Sequence, residues 1–236
     1  MQDMIRAIAV QRGRLARQDV NQYLSFKNIF PLNFEYIDRH RSQLGAVRFT
    51  YYPDINTLII KVPTTEHEIA HNALSQKISA QITAMNIDID QFLSLGAARY
   101  VGPTASEKEA DSSFKNPIFR PRHGDWPTLV IESGGQVQIV LLIKVARNIK
   151  RMVFEKYVPE RVYPYTRAQA STGPNYRPAL VSTTEVYQGA TPPYAQGPPI
   201  IFEFDRVIGR QPISPEGDIQ LGHAKLLLIA HHVFPP

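Results

Sequence analysis

The chain contains no cysteine. That excludes a disulfide scaffold, a zinc ribbon and a thiol nucleophile together, and fits a reducing compartment. Long apolar runs are missing as well. A membrane helix needs about 20 apolar residues, and the most apolar stretch, Val137–Val145, falls far short of that. The N-terminus lacks the apolar core of a secretion signal, and Asp3 and Asp19 count against a mitochondrial leader. The sequence is therefore read as intracellular, in nucleus or cytoplasm, with no membrane partner.

What is present is ordinary for a globular protein. Of 236 residues, 43% are hydrophobic and 20% charged, enough for one core or one core with an appended lobe. The net charge of +5 leans on the N-terminal arginines Arg6, Arg12, Arg14 and Arg17. A basic balance favours a polyanion such as nucleic acid, although a solvated basic helix face explains the same residues.

Periodicity sets out the elements. Residues 1–25 read as a surface helix, and 26–46 as irregular, with Pro31 as a breaker. Val47–Tyr52 and Thr57–Val62 are β-prone runs around Pro53-Asp54-Ile55-Asn56, a hairpin. A helix follows from Thr65 as N-cap to about residue 86. Glu66 and Glu68 suit its positive end, and Ile69, Ala73, Leu74, Ile78, Ile82 and Met85 form its apolar stripe. Asp90–Val101 turns strand-like toward its end. Thr128–Glu132 and Gln136–Val145 read as buried strands. Residues 159–199, dense in Pro, Gly, Thr and Tyr, are expected to hold no helix or long strand. Ile200–Phe204 reads as a strand and Gly222–His232 as a closing helix. The domain reading is 1–45 as an N-terminal helical segment, 46–158 as the core, and 159–236 as a C-terminal extension.

Two constellations could carry chemistry. His67-Glu68-Ile69-Ala70-His71 is a literal H-E-x-x-H. On a helix the two imidazoles share a face and could grip Zn²⁺, with Glu68 activating a bound water, as in a zinc metalloprotease. Against it, no further histidine follows the motif before His123, no glutamate lies between Glu68 and Glu107, and the motif opens its helix. The second is Asp111 with Glu132. Carboxylates at the ends of neighbouring buried strands make a hard oxygen site suited to Mg²⁺, which could orient water and polarise a phosphodiester. A lysine nearby would steady the developing charge. Each acid could equally be a structural residue with a salt-bridge partner.

The order of several segments resembles a large group of fungal proteins with a PD-(D/E)XK, restriction-endonuclease-like nuclease fold. The segments are Thr57-Leu58-Ile59-Ile60, Pro63 with His67-Glu68, Lys108-Glu109-Ala110-Asp111, Trp126 to Glu132, Val137 to Ile143, Ile200 to Phe204, Asp218-Ile219 and the closing helix. They span roughly 45–236. The resemblance implies an α/β (α+β) fold: a mixed β-sheet flanked by helices, with an N-terminal helix and a Pro/Tyr-rich C-terminal extension. It implies Asp111 and Glu132 as Mg²⁺ ligands, Glu68 as an accessory acid at the start of its helix, and His71 as incidental. Two departures stand out. The lysine expected two residues after Glu132 is Gly134, leaving Lys144 or Lys108 as substitutes. The helix that usually separates the two strands is missing, so Gly134-Gly135 should either turn a hairpin, with the strands antiparallel, or mark a lost segment. The reading is a nuclease-like protein with impaired metal-dependent cleavage. A non-catalytic module is the other alternative, binding nucleic acid or protein. Its contact surfaces would be the basic N-terminus and the stretch holding Tyr157, Tyr163, Tyr165, Tyr176, Tyr187 and Tyr194, with Arg161, Arg167 and Arg177 among them.

Overall fold

The structure, a computed structural model, describes residues 1–102, 104–122, 124–131, 137–162 and 175–235. The described residues form a mixed α+β protein with three sheets. Among the described residues no helix is long and apolar enough to cross a membrane.

The first lobe is built from β1 (Tyr23–Lys27), β2 (Arg48–Tyr52), β3 (Thr57–Lys61), β5 (Arg99–Val101) and β6 (Glu107–Glu109), in the order β1-β3-β2-β6-β5. The β2–β3 hairpin is the one the sequence indicates. Pro53–Ile55 forms a short 3₁₀ turn and Asn56 takes the left-handed conformation that asparagine tolerates. Helices α1 (Gln2–Leu15) and α2 (Pro31–Arg39) cover this sheet. Met4, Ile8 and Leu15 meet Phe34, Ile37, Phe49, Leu58 and Ile60 in one core, so residues 1–45 and the hairpin pack as a unit.

Two expectations here are corrected. The N-terminal helix ends at Leu15, and the alternating Tyr23-Leu24-Ser25-Phe26 joins the sheet instead. The carbonyl of Leu15 is capped by Arg147, as cations at a helix C-terminus favour. Pro31 does not break structure in 26–46. It occupies the first turn of α2, where its fixed φ and missing N–H are no handicap.

The second sheet runs β12-β11-β10-β9-β8-β7-β4, from β4 (Leu93–Ser94), β7 (Ser112–Lys115), β8 (Leu129–Ile131), β9 (Ile139–Ala146), β10 (Arg151–Val162), β11 (Asn175–Tyr187) and β12 (Tyr194–Gln196). One face is covered by α3 (Thr65–Ala84) and α5 (His223–Val233), the other elements of its core being α4 (Phe204–Ile208) and the small pair β13 (Ile200–Phe202) and β14 (Ile219–Leu221). The N-cap of α3 is Thr64, one residue earlier than expected, its hydroxyl accepting from the His67 N–H at 3.4 Å.

Residues 159–199 hold the greatest surprise. β10 continues to Val162, and β11 is a 13-residue strand antiparallel to it. The β-branched and aromatic residues of Tyr176–Tyr187 outweigh Pro178, which pairs with Pro159 so that the ladder loses its donors at a single rung. Residues 163–174, with Tyr163, Tyr165 and Arg167, lie outside the described residues. The strands flanking Gly134-Gly135 also depart from the hairpin expectation. β8 and β9 run parallel, Leu129 beside Ile139 and Ile131 beside Leu141. Because β8 is three residues long, the return is only about 7 Å along the strand and 5 Å across. Seven residues of chain, 132–138, are long enough to span that distance.

The chain crosses between the two sheets from β4 to β5 and again, alongside, from β6 to β7. β6 ends at Glu109, β7 begins at Ser112, and Ala110-Asp111 forms the bend between them. Just before the bend, Glu109 is buried and accepts from Arg41 at 2.6 and 3.0 Å, from Arg99 at 2.8 and 3.1 Å, and from the Phe49 N–H at 3.0 Å. Arg99 also bonds Asp38 on α2 at 2.8 Å. Burial pushes the Glu109 carboxyl up, but the bonds from Arg41, Arg99 and Phe49 outweigh it and hold the pKa below its ordinary value. Its contribution to stability is therefore complete above the unfolded-state value near ~4.3 and lost as pH falls through the lower folded value. Glu109→Gln is expected to remove about 2 kcal/mol at neutral pH, leaving two guanidinium groups short of an anion. Chemical denaturation across acid and neutral pH should show the variant's deficit shrinking as acid titrates the wild type. An equal deficit at every pH contradicts the assignment.

Candidate functional site

Hairpin register places the first basic pair. Arg48 on β2 lies directly opposite Lys61, the last residue of β3. Like charges facing across two strands repel unless an anion lies between them. That anion is Asp111, at the bend. Lys61 is 6% exposed and Asp111 4%. The Lys61 ammonium donates to Asp111 Oδ2 at 2.6 Å, and Arg48 Nε lies 3.7 Å from Oδ1.

Helix α3 completes the group. Pro63 and the Thr64 cap start the helix immediately after Lys61, so His67 in its first turn comes back over the strand end. Lys61 also donates to His67 Nε2 at 2.8 Å, and that nitrogen lies 3.2 Å from Asp111 Oδ2. The ammonium thus holds two acceptors at once, as its three N–H bonds allow. One turn further, His71 Nε2 meets Glu68 Oε2 at 2.9 Å while its Nδ1 meets the Ser112 hydroxyl at 2.9 Å. A single neutral tautomer satisfies both: Nε2 donates to the carboxylate and Nδ1 accepts from the serine. Glu68 Oε1 receives Arg48 at 3.5 Å. The bond from His71 holds the Glu68 carboxyl below its ordinary pKa, against burial and the repulsion of Asp111, which push it up.

Four of the residues singled out in the sequence, Glu68, His67, His71 and Asp111, are thus brought together. Glu132 lies outside the described residues. Lys144 is not brought to the cluster. It stands on β9 with its side chain 55% exposed and its ammonium on Glu155 at 2.5 Å. That site is a surface ion pair, because the lysine ends on the outer side of its strand and reaches for solvent. Lys108 sits on β6 opposite Thr50 and Tyr100. The lysine that does touch the acid, Lys61, was missed, although the hairpin register and the helix cap directly after it carry the signal.

The H-E-x-x-H residues are engaged with partners within the protein. Both ring nitrogens of His71 are engaged, by Ser112 and by Glu68, and the glutamate meant to activate water is tied to His71 and Arg48. His71 is also not incidental, since it joins Glu68 to the strand bearing Asp111. Among the described residues no group of three or more His, Asp or Glu side chains gathers as a ready metal nest. Of the N-terminal arginines, Arg12 is committed to the fold, donating to the Leu44 and Ala46 carbonyls at 2.7 and 3.2 Å. The chain matches no known family model and no curated protein sequence.

A buried ion pair is costly to break because the surviving charge loses its partner. Lys61→Met alone is expected to destabilise the protein by about 3 kcal/mol, and Asp111→Leu by a similar amount. The double variant should recover most of that loss, which equilibrium unfolding of the four proteins in a double-mutant cycle will measure. Strictly additive losses would mean that the two side chains do not interact.

Proposed function

We propose that this chain is a restriction-endonuclease-like protein of the PD-(D/E)XK type, with a phosphodiester-handling centre built on Asp111 and Lys61 and with weakened metal-dependent cleavage. The observation that supports it is the 2.6 Å contact between the Lys61 ammonium and Asp111 at the bend joining two sheets. An acid at a strand end with a lysine against it is the pair such chemistry needs. Here the lysine comes from the preceding hairpin and not from the residues after Glu132.

Asp111 and Glu68 are hard oxygen donors of the kind Mg²⁺ takes, and their charges act on one another. They fit the ion in kind, with Glu132 as the further acid indicated by the sequence. Bound Mg²⁺ would supply polarisation of the phosphodiester and a more acidic water. The protein's own side chains do the rest. Lys61 and Arg48 set positive charge where a phosphate would accumulate negative charge. His71, anchored by Ser112, fixes the orientation of Glu68. Lys61 and His67 both crowd Asp111 Oδ2, so a cation must compete with them, which weakens its binding.

Incubation of the purified chain with plasmid DNA and with a single-stranded RNA, across Mg²⁺ and Mn²⁺ concentrations, tests this reading. Slow cleavage that requires the divalent ion is expected, falling to background in Asp111→Asn and at least about tenfold in Lys61→Met. Thermal unfolding of each variant separates loss of chemistry from loss of fold. Cleavage unchanged in Asp111→Asn, or neither cleavage nor cation binding in the intact chain, removes the proposal.

A further inference from the structure

A second concavity lies at the other end of β8. Ile131 of that strand pairs with Ser112, next to Asp111, whereas Thr128 precedes the opposite end. There a cavity of about 340 Å³ is walled by Phe119, Arg120, Gln138, Asp205, Arg206 and Gly209. The volume is at the small end of the range for ligand sites, about 300–1,000 Å³.

Its charges are unevenly answered. Arg206, half-buried on α4, makes no side-chain hydrogen bond or ion pair among the described residues. Arg120 spends one terminal nitrogen on the carbonyls of Trp126 and Pro127, and the rest of its guanidinium has no partner among the described residues. Burial lowers its pKa, with the nearby Asp125 acting the other way, so the guanidinium lacks the solvation an anion would restore. Asp205 is the one carboxylate on the wall, and it is exposed. Two guanidinium groups against one exposed carboxylate select an anion.

One part of the wall is a flat aromatic face. Phe119 is 53% exposed, and its ring lies over Gly209, where a Cβ would stand 3.1 Å from it. Gly209 also has φ +89°, a conformation that side chains other than glycine disfavour. The glycine lets the ring lie close against the backbone beside the two arginines. A phenyl face next to a pair of guanidiniums matches a molecule with a flat ring at one end and a doubly charged group at the other.

We propose that this cavity binds a small phosphate ester of mononucleotide size. Its phosphate sits between Arg120 and Arg206, its ring rests on Phe119, and the Gln138 amide is within reach of its polar edge. This site stands independently of the Asp111 centre.

The test is titration of the intact chain at low salt with AMP, adenosine and inorganic phosphate, followed by amide chemical shifts and calorimetry. AMP should perturb the amides of Gly209 and Gln138 and bind with a dissociation constant below about 1 mM. Adenosine and inorganic phosphate should each bind at least about tenfold more weakly, because each keeps half of the contacts. Arg206→Gln should weaken AMP about tenfold with no change in melting temperature, as one charge-assisted contact does. Phe119→Ala should weaken AMP and leave inorganic phosphate unaffected. The proposal is overturned if AMP fails to bind at about 10 mM, if adenosine binds as tightly as AMP, or if Arg206→Gln binds AMP as well as the wild type.

Discussion

The contact between Lys61 and Asp111 ties the β2–β3 hairpin, the bend after β6 and the first turn of α3 together at one point. The β2–β3 hairpin sets Arg48 opposite Lys61, a repulsive arrangement in isolation. It becomes favourable only when a carboxylate stands over the strand ends. The bend at Ala110-Asp111 supplies that carboxylate, and α3 then closes the group from above with His67, Glu68 and His71. Burial makes the arrangement exacting. A charge at 4% exposure must be matched in position as well as in sign, which favours one packing of the hairpin, bend and helix over its neighbours.

A single pentapeptide, Glu107-Lys108-Glu109-Ala110-Asp111, feeds two separate ionic networks. Glu109 faces the first lobe and gathers Arg41 and Arg99. Asp111, beyond the bend, faces Lys61, His67 and Arg48. The first network ties α2 to the sheet and has its hydrogen bonds well distributed, which is what a structural cluster requires. The second sets Lys61 and Arg48 against Asp111 beside a second acid, Glu68.

Much of this was legible in the sequence. The hairpin, the helix over 65–84, the buried strands and the closing helix follow from side-chain period and turn residues. Asp111, Glu68, His67 and His71 stand out from the H-E-x-x-H motif and from an acid placed beside buried strands. What the sequence hid depends on contacts far apart along the chain. Pro31 looks like a breaker until its neighbours show it at the start of a helix. Pro178 hides a long strand because its opposite number is also proline. Lys61 ends β3, whereas Lys144 lies inside β9. Only the bend at Asp111 decides that one is buried against an acid while the other reaches Glu155 in solvent.

The uninterrupted run from Glu107 to Lys115 has a mechanical effect. Three residues of it hydrogen-bond into one sheet and four into the other, with two residues between. A tilt of either lobe about this crossing would change the angle at Asp111 and stretch its grip on the hairpin. Loosening at one end of the molecule is thereby transmitted to the other, so the two lobes should melt as one cooperative unit.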